Sequence, residues 1–230
     1  GPARTTRVIS EHEKDVTAYH EAGHAVVGHM LRHVDPVTKV TIISRGAAGG
    51  FTKSLPEEDR NLWTKEQFED QMAMAMGGRV AEEATFGEIT TGASNDLEKA
   101  TQLARTMVTR YGMSEKLGPR TFGKREELVF LGKEISEQRD YGDKVAETID
   151  DEVYTLINTA YNSAKTVIAD HQDKLKELAA FLIQHETAEK KDIEDILGKR
   201  PGESGPSDDI ERLTESGSSR QTSFLESTAD

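Results

Sequence analysis

Two histidines four residues apart, with a glutamate directly after the first, are the residues best suited to chemistry. Residues 20–24 read His-Glu-Ala-Gly-His, and residues four apart lie on one face of a helix. Two imidazoles so arranged can bind one Zn²⁺ ion. Glu21 is rotated by roughly 100° from His20 around the helix, so it is better placed to contact a water on the ion. The spacing therefore predicts a hydrolytic zinc site, with Glu21 as the base that activates water for attack on a carbonyl.

A catalytic zinc site needs a third protein ligand, and the residues alone leave that ligand open. The longer pattern with a third histidine fails, because Val27 and Met30 stand where its glycine and histidine would be. The remaining candidates are acidic: Asp96, in the predicted first turn of one helix, and the pair Glu82 and Glu83 on another. Spacing favours neither choice. Gly23 lies inside the predicted helix at a cost of about 1 kcal/mol relative to alanine, which suggests a close approach by another backbone or by the metal site.

The elements that must position these residues are mostly helices. A capping box of Ser10 and Glu13 starts a helix that we expect to run from Glu11 to Arg32. A strand is predicted at Val37–Ser44 and a short second strand at Phe51–Ser54, after a glycine-rich turn. Further predicted elements are helices from Thr64 to Phe86, from Ser94 or Asn95 to Tyr111, from near Ser136 past Val167, at Gln172–His185 and at Lys191–Leu197, and a possible strand at Leu128–Leu131. The predicted fold class is mainly α with a small β-sheet, in which the zincin-type helix is followed by a C-terminal helical bundle.

Composition divides the chain into three parts. The first two residues, Gly and Pro, are typical of a cleaved tag, so we interpret residues 1–7 as a scar and linker. Residues 8–197 form the predicted zinc metallopeptidase domain, with a catalytic part at 8–134 that carries the sheet and a helical part at 135–197. Residues 198–230 contain few apolar side chains, so we expect a disordered tail.

Charge and cysteine content exclude several classes of function. The formal net charge is −13, which argues against binding to nucleic acid or directly to an anionic membrane. The chain has no cysteine, so it cannot carry the cysteine ligand of the two-histidine peptide deformylases.

The other five histidines have no histidine four residues away next to a glutamate, and we expect them to face solvent: His12, His29, His33, His171 and His185.

Several motifs, in this order, carry a resemblance to a known family. They are Ala18–Ala25, Lys39–Ile43, Leu55–Asp59, Gly77–Glu83, Thr91–Leu97, Tyr111–Met113 and Phe130–Gly132. Together they closely resemble the peptidase domain of the FtsH family of membrane-bound AAA proteases. The resemblance covers about Val8 to Leu197, nearly all of the chain outside the interpreted scar and tail.

The resemblance implies a complete set of site residues. Family members bind one zinc ion through the two histidines and through the aspartate of an Asn-Asp-Leu motif. Carried over, this makes His20, His24 and Asp96 the metal ligands and Glu21 the catalytic glutamate. The neighbouring glutamate pair on the preceding helix is then left with supporting roles.

The resemblance also implies partners and a location. Family members degrade unfolded or misassembled proteins in an ATP-dependent manner, as hexamers whose sites face an enclosed chamber. Their peptidase domain lies on the cytoplasmic side of the membrane, or on the stromal or matrix side in organelles. This chain contains no Walker-type phosphate loop and no apolar stretch long enough to span a bilayer. We therefore expect a soluble fragment, with ATP, Mg²⁺ and the membrane anchor belonging to segments outside it.

Two hypotheses stay open at this point. Extended peptides commonly bind by adding a strand to an open sheet edge, and Phe51, Thr52 and Lys53 are the candidate edge. The alternative is that this strand is only a structural hairpin partner.

For the chain as a whole, the alternative to a peptidase is a non-catalytic oligomerisation module with a structural metal site. The presence of Glu21 argues against that module, because a structural site does not need this carboxylate.

Overall fold

The computed structural model describes residues 10–43, 50–55, 61–123 and 139–202. These residues are mainly helical and include one small sheet, which confirms the predicted class. The elements are α1 (Glu11–Met30), β1 (Val37–Thr41), β2 (Phe51–Ser54), α2 (Lys65–Phe86), a 3-10 helix (Thr91–Ala93), α3 (Ser94–Thr109), α4 (Asp143–Asp170), α5 (Gln172–His185), β3 (Thr187–Glu189) and α6 (Lys190–Leu197). Within the described part of the chain, no helix has both the length and the apolar character needed to cross a membrane.

Both long N-terminal helices begin where their capping residues predict. The Ser10 hydroxyl accepts the backbone N–H of Glu13 at 3.1 Å, and the Glu13 carboxylate accepts the backbone N–H of Ser10 at 3.3 Å. Thr64 and Gln67 form the same reciprocal pair at the start of α2. Each box satisfies two backbone donors that a helix start would otherwise leave unpaired. Helix α1 ends at Met30, two residues before the predicted end.

Helices α1 and α2 pack against each other through glycines. A Cβ atom added to Gly77 would lie 2.6 Å from the Gly23 carbonyl oxygen, and one added to Gly23 would be closer still to the Gly77 carbonyl. Only two glycines allow the backbones to approach this closely, which confirms the expectation for Gly23. The buried side chains around this crossing are Ala18, Ala22, Val26, Ala73, Met76 and Val80.

The C-terminal helices complete the core. Helix α4 packs on α2, and α5 packs on α1. Their buried side chains include Ile149, Val153, Ala160, Ala164, Ile168, Leu175, Leu178 and Leu182. Helix α4 begins at Asp143, so the predicted start near Ser136 is wrong. The residues just before Asp143 are not helical. The ring of Tyr141 packs edge-on against Phe122, with centroids 5.9 Å apart, and the backbone of Gly142 is extended.

The sheet has the strand order β2-β1-β3 and is antiparallel throughout. Strand β1 ends at Thr41 rather than at the predicted Ser44. Strand β3 was not predicted, because it has only three residues between two helices. It pairs with β1 after a left-handed turn at Glu186, whose carbonyl accepts the Ile42 N–H at 3.0 Å.

Helix α3 begins in a different way from the prediction. Neither Ser94 nor Asn95 is its N-cap; the cap is Ala93, which makes no side-chain hydrogen bond. A 3-10 turn precedes it, and there the Thr90 hydroxyl accepts the Gly92 N–H at 3.1 Å. The capping function has therefore moved to the start of the 3-10 turn, and Asp96 still lies in the first turn of α3.

His29 contradicts the expectation that the remaining histidines face solvent. It is only 2% exposed. Its Nε2 atom lies 2.8 Å from the Gly198 carbonyl oxygen, and since a carbonyl only accepts, Nε2–H donates. This bond ties α1 to the residue that follows α6.

Some predictions fall on residues that the structure does not describe. These are the strand at 128–131, the interpreted scar at 1–7 and the part of the predicted tail at 203–230. Residues up to Gly198 form one compact unit. A second unit begins at Lys199, and its described residues end in a turn at 201–202.

Candidate metal centre

Helix α1 turns both imidazoles of its motif inward. His20 is 9% exposed and His24 is 8% exposed. Their Nε2 atoms lie 3.0 Å apart, as expected for side chains one helical turn apart that point at a common centre.

Asp96 is the third residue at this centre. Its Oδ2 atom lies 3.3 Å from Nε2 of His20 and 3.4 Å from Nε2 of His24. In a tetrahedral site with bonds of about 2.0–2.1 Å, donor atoms are separated by roughly 3.3–3.4 Å. Both distances from Asp96 match this spacing, and the 3.0 Å between the two Nε2 atoms is slightly shorter, so the donor set is close to that of a zinc site. In the part of the chain that the structure describes, this is the one cluster of three or more such side chains that could hold a metal ion.

The outer nitrogen of each imidazole is also bonded. Nδ1 of His20 lies 2.6 Å from Oε1 of Glu82, and Nδ1 of His24 lies 2.8 Å from the carbonyl oxygen of Met74. A carbonyl cannot donate, so Nδ1 of His24 carries a proton, and Nε2 is the nitrogen that faces Asp96 and His20. Partners of this kind fix the tautomer and the ring orientation of metal-binding histidines.

The neighbours of His20 and Asp96 shift the pKa of each residue toward its charged form. Burial alone would lower the pKa of His20, but the carboxylates of Asp96 and Glu82 outweigh it and raise that pKa to about 9. Burial alone would raise the pKa of Asp96, but its contacts with His20 and His24 hold that pKa below its usual range. The two carboxylates therefore stay ionised, and a metal ion would replace the proton on Nε2 of His20.

The two glutamates considered as alternative ligands face in different directions. Glu82 is 1% exposed and contacts the outer side of His20, away from the Nε2 atoms; its other oxygen accepts the Thr90 N–H at 3.0 Å. Glu82 therefore links α1 to the loop that leads into α3 and Asp96. Glu83 turns away, toward the Tyr161 hydroxyl and the ammonium of Lys165. Neither glutamate lies beside both Nε2 atoms.

Gly78 leaves the space that the His20 ring occupies. A Cβ atom at this position would lie 2.5 Å from Cε1 of His20 and 2.6 Å from its Nε2. This role was not predicted from the sequence, although two adjacent glycines inside a helix are a signal of close packing.

Glu21 lies against the chain segment of strand β2, whereas His20 contacts α2. The Thr52 hydroxyl is 2.8 Å from Oε2 of Glu21 and 3.2 Å from its carbonyl oxygen. Glu21 is 7% exposed. It lines a cleft of about 870 Å³ together with His20, His24 and Asp96. The donor cluster and the carboxylate thus open onto the same space.

Strand β2 forms one edge of the described sheet. Phe51 and Thr52 line the cleft, whereas Lys53 is not among its lining residues. The Ile42 N–H bonds toward β3, so by alternation Val40 also turns its backbone groups toward β3. Thr52 pairs with Val40. The backbone N–H and C=O of Thr52 therefore point away from β1, toward the outer side of the edge.

Comparison with known proteins identifies the family. The model of peptidase family M41 matches residues 7–196. Among curated proteins, the chain is 57% identical to the ATP-dependent zinc metalloprotease FtsH 1 of Sphaerobacter thermophilus over 209 residues, 90% of this chain and 32% of that protein. The FtsH 1 proteins of Thermomicrobium roseum and Conexibacter woesei are 57% and 52% identical, over 90% and 88% of this chain and 32% and 31% of their own lengths.

The chain thus spans about a third of the length of these relatives. The matched region contains the two histidines, Glu21, Asp96 and the cleft that they line. A match over so much of the chain is decisive for its classification: the chain belongs to peptidase family M41.

Proposed function

We propose that this chain is the zinc-dependent endopeptidase domain of an ATP-dependent protease. The observation that carries the proposal is the convergence of two imidazole nitrogens and one carboxylate oxygen, 3.0–3.4 Å from one another, in the cleft that Glu21 also lines. The names of the relatives, which describe zinc metalloproteases, support the same chemistry.

In this proposal α1 is a zincin-type helix. Nε2 of His20, Nε2 of His24 and Oδ2 of Asp96 hold the ion, and Glu82 and the Met74 carbonyl orient the two rings. Zinc, when bound, supplies a Lewis acid that polarises the scissile carbonyl and acidifies water.

Glu21 acts as the general base and then as the general acid. Its carboxylate accepts a proton from the attacking water and afterwards delivers it to the departing amine, so the residue is regenerated. Burial at 7% exposure limits competing solvent around this carboxylate.

The peptide binds along the outer edge of β2 at Phe51, Thr52 and Lys53. The outward N–H and C=O of Thr52 can pair with an extended chain, as in other cases of strand addition. Thr52→Pro would remove that N–H while leaving the ladder to β1 intact, because this donor faces away from β1. We expect KM for peptides to rise about fivefold, since one hydrogen bond contributes about 1 kcal/mol. Unchanged peptide kinetics would rule out binding along this edge.

The partners follow from the family. The substrates are unfolded or misassembled proteins, and the helical bundle of α4, α5 and α6 belongs to a subunit that assembles as a hexamer. ATP and Mg²⁺ act through an ATPase module outside these residues, and a membrane anchor there holds the domain on the cytoplasmic, stromal or matrix side. Taken alone, the domain cleaves peptides and already unfolded proteins.

The central test replaces the base and leaves the ligands in place. Glu21→Gln should keep one zinc ion per chain and abolish cleavage of a casein-like substrate. Retained cleavage would contradict the mechanism. Zinc bound by the wild-type chain without any cleavage would instead favour the non-catalytic oligomerisation module.

A second experiment assigns the third ligand. Metal analysis at saturating zinc should find the ion lost in Asp96→Asn and retained in Glu82→Gln. The reverse result would make Glu82 the ligand and would contradict the role proposed for Asp96.

A further inference from the structure

We infer that Thr52 is a positioning residue for Glu21, so that the strand proposed to bind the peptide also holds the base that cleaves it. The inference rests on the proposed endopeptidase function. It concerns a hydroxyl that the resemblance to known proteases did not single out.

The Thr52 hydroxyl lies near two oxygens of Glu21 and can donate its proton to only one of them. Oγ1 of Thr52 lies 2.8 Å from Oε2 of Glu21 and 3.2 Å from the Glu21 carbonyl oxygen, and the hydroxyl has only one proton to donate. A carbonyl inside a helix already accepts the N–H four residues on. The carboxylate oxygen is both closer and charged, so the proton is donated to Oε2.

Gly50 lies against the Glu21 carboxylate as well. A Cβ atom added to Gly50 would lie 2.9 Å from both Cγ and Oε1 of Glu21. The residue just before β2 thus leaves open the space that the carboxylate fills, and Thr52 bonds the carboxylate from within the strand. Two positions of one chain segment fix the Glu21 side chain.

The side chain and the backbone of Thr52 point in different directions from strand β2. The side chain of Thr52 reaches Glu21 of α1, while its backbone N–H and C=O point to the outer edge. A peptide paired with Thr52 would therefore lie at a fixed offset from the carboxylate that takes the proton. Binding register and base position are then set by the same residue.

Three variants separate this role from simple peptide binding. Thr52→Val removes the hydroxyl but keeps the branched shape and the backbone N–H, and Thr52→Ser restores the hydroxyl. Thr38→Val on β1 is the matched control, because its hydroxyl faces the Lys53 carbonyl at 3.4 Å and not Glu21. Each zinc-loaded variant is measured for kcat and KM with a fluorogenic peptide, for zinc content and for melting temperature.

We expect kcat of Thr52→Val to fall about 10- to 100-fold, because a misplaced reacting group costs up to about that factor. KM should stay within about twofold of the wild-type value, since the backbone donor that pairs with the peptide is unchanged. Thr52→Ser should recover kcat to within about threefold, and Thr38→Val should match the wild type. Zinc content should be equal in all four proteins.

Several results would overturn the inference. Equal kcat in Thr52→Val and the wild type would do so, and so would a rise in KM at constant kcat, which would make Thr52 a peptide contact only. Loss of zinc in Thr52→Val would also count against it, because the effect would then pass through the metal.

Failure of the proposed function has a different signature: the zinc-loaded wild type would not cleave at all. In that case crystal structures of the wild type and Thr52→Val decide the positioning role without turnover. A Glu21 carboxylate in the same conformer in both would overturn it, and a displaced carboxylate in Thr52→Val alone would support it.

Discussion

The α1–α2 crossing holds the imidazoles of His20 and His24 through buried contacts on several sides, whereas a four-residue edge strand holds the carboxylate of Glu21 largely through one hydroxyl. The crossing is part of the hydrophobic core, and the backbones of the two helices come into close contact at Gly23 and Gly77. Strand β2 is only partly buried, and its third residue is exposed.

Because of this difference, changes at the helix crossing should affect the stability of the fold, whereas changes at the sheet edge should affect the turnover rate. The proposed metal donors depend on contacts that the whole fold needs, so disturbing them should also disturb folding. The position of the proposed base, Glu21, depends on a local contact at the sheet edge, so disturbing it should change kcat and leave folding nearly unaffected. Three measurements on the core side and away from the site can break or sharpen this contrast.

The largest effect is expected at the helix crossing. Gly23→Ala would bring a Cβ atom to 2.6 Å from Cβ of Ala81 and closer still to the Gly77 carbonyl, and overpacking of this severity costs about 3 kcal/mol or more. The free energy of unfolding, measured in urea, should fall by that amount. Gly142→Ala is the control: it meets nothing within 4 Å and lies just before α4, so it should cost about 1 kcal/mol or less. Equal losses in the two variants would contradict the tight crossing.

An intermediate effect is expected at the outer side of His20. Glu82→Gln keeps the shape of the side chain but weakens its bond to Nδ1 of His20. Zinc affinity should fall about 10- to 100-fold, as for other partners of metal-binding histidines, when measured by competition with a chelator. Glu83→Gln is the matched control, because Glu83 bonds to Tyr161 and Lys165 instead. Equal zinc affinities in the wild type and Glu82→Gln would argue that the crossing holds His20 without help.

The smallest effect is expected far from both regions, at Glu152. Its carboxylate accepts the Ser114 hydroxyl at 2.7 Å and lies 2.9 Å from Nζ of Lys116. Burial works to raise the pKa of Glu152, but these two contacts outweigh it and hold that pKa below its ordinary value of 4.5. The stabilisation is therefore fully present above that value and is lost as the pH falls through the lowered pKa.

Glu152→Gln should therefore be less stable than the wild type by about 1 kcal/mol at neutral pH, from one hydrogen bond to a charged group and a partly screened ion pair. The difference should shrink as the pH falls below about 4.5. Urea unfolding across this range measures it, and zinc affinity should not change. A difference that is independent of pH would show that Glu152 stabilises the fold by packing alone.

Local chemistry made much of the fold predictable. Capping boxes at Ser10 and Thr64 mark helix starts because they satisfy backbone donors within four residues of sequence. The spacing of His20 and His24 likewise predicts a shared face, since it depends only on the helix itself. By contrast, Ser94 is a good capping residue, but the preceding 3-10 turn took over the start of α3.

Features that depend on distant packing were not predictable. Glu82 and Glu83 are adjacent in the sequence and have the same side chain. Only the orientation of α2 relative to α1 decides which of them contacts His20. The contact between Thr52 and Glu21 depends on which face of β2 is turned toward α1. A strand of four residues has only two side chains on each face, so its sequence pattern does not show which face is turned inward. The resemblance to a known family, rather than spacing, selected Asp96 over the glutamates.

The late position of strand β3 in the sequence affects when the sheet can form during synthesis. Strand β1 pairs with residues 187–189, about 150 positions further along the chain, and a two-stranded hairpin alone is marginally stable in water. During synthesis from the N-terminus, the pair of β1 and β2 must therefore wait for nearly the whole domain before a third strand supports it. On the proposed function, the edge that binds the peptide is therefore among the last parts of the domain to gain its support, and activity should appear only after residues 187–189 have been made.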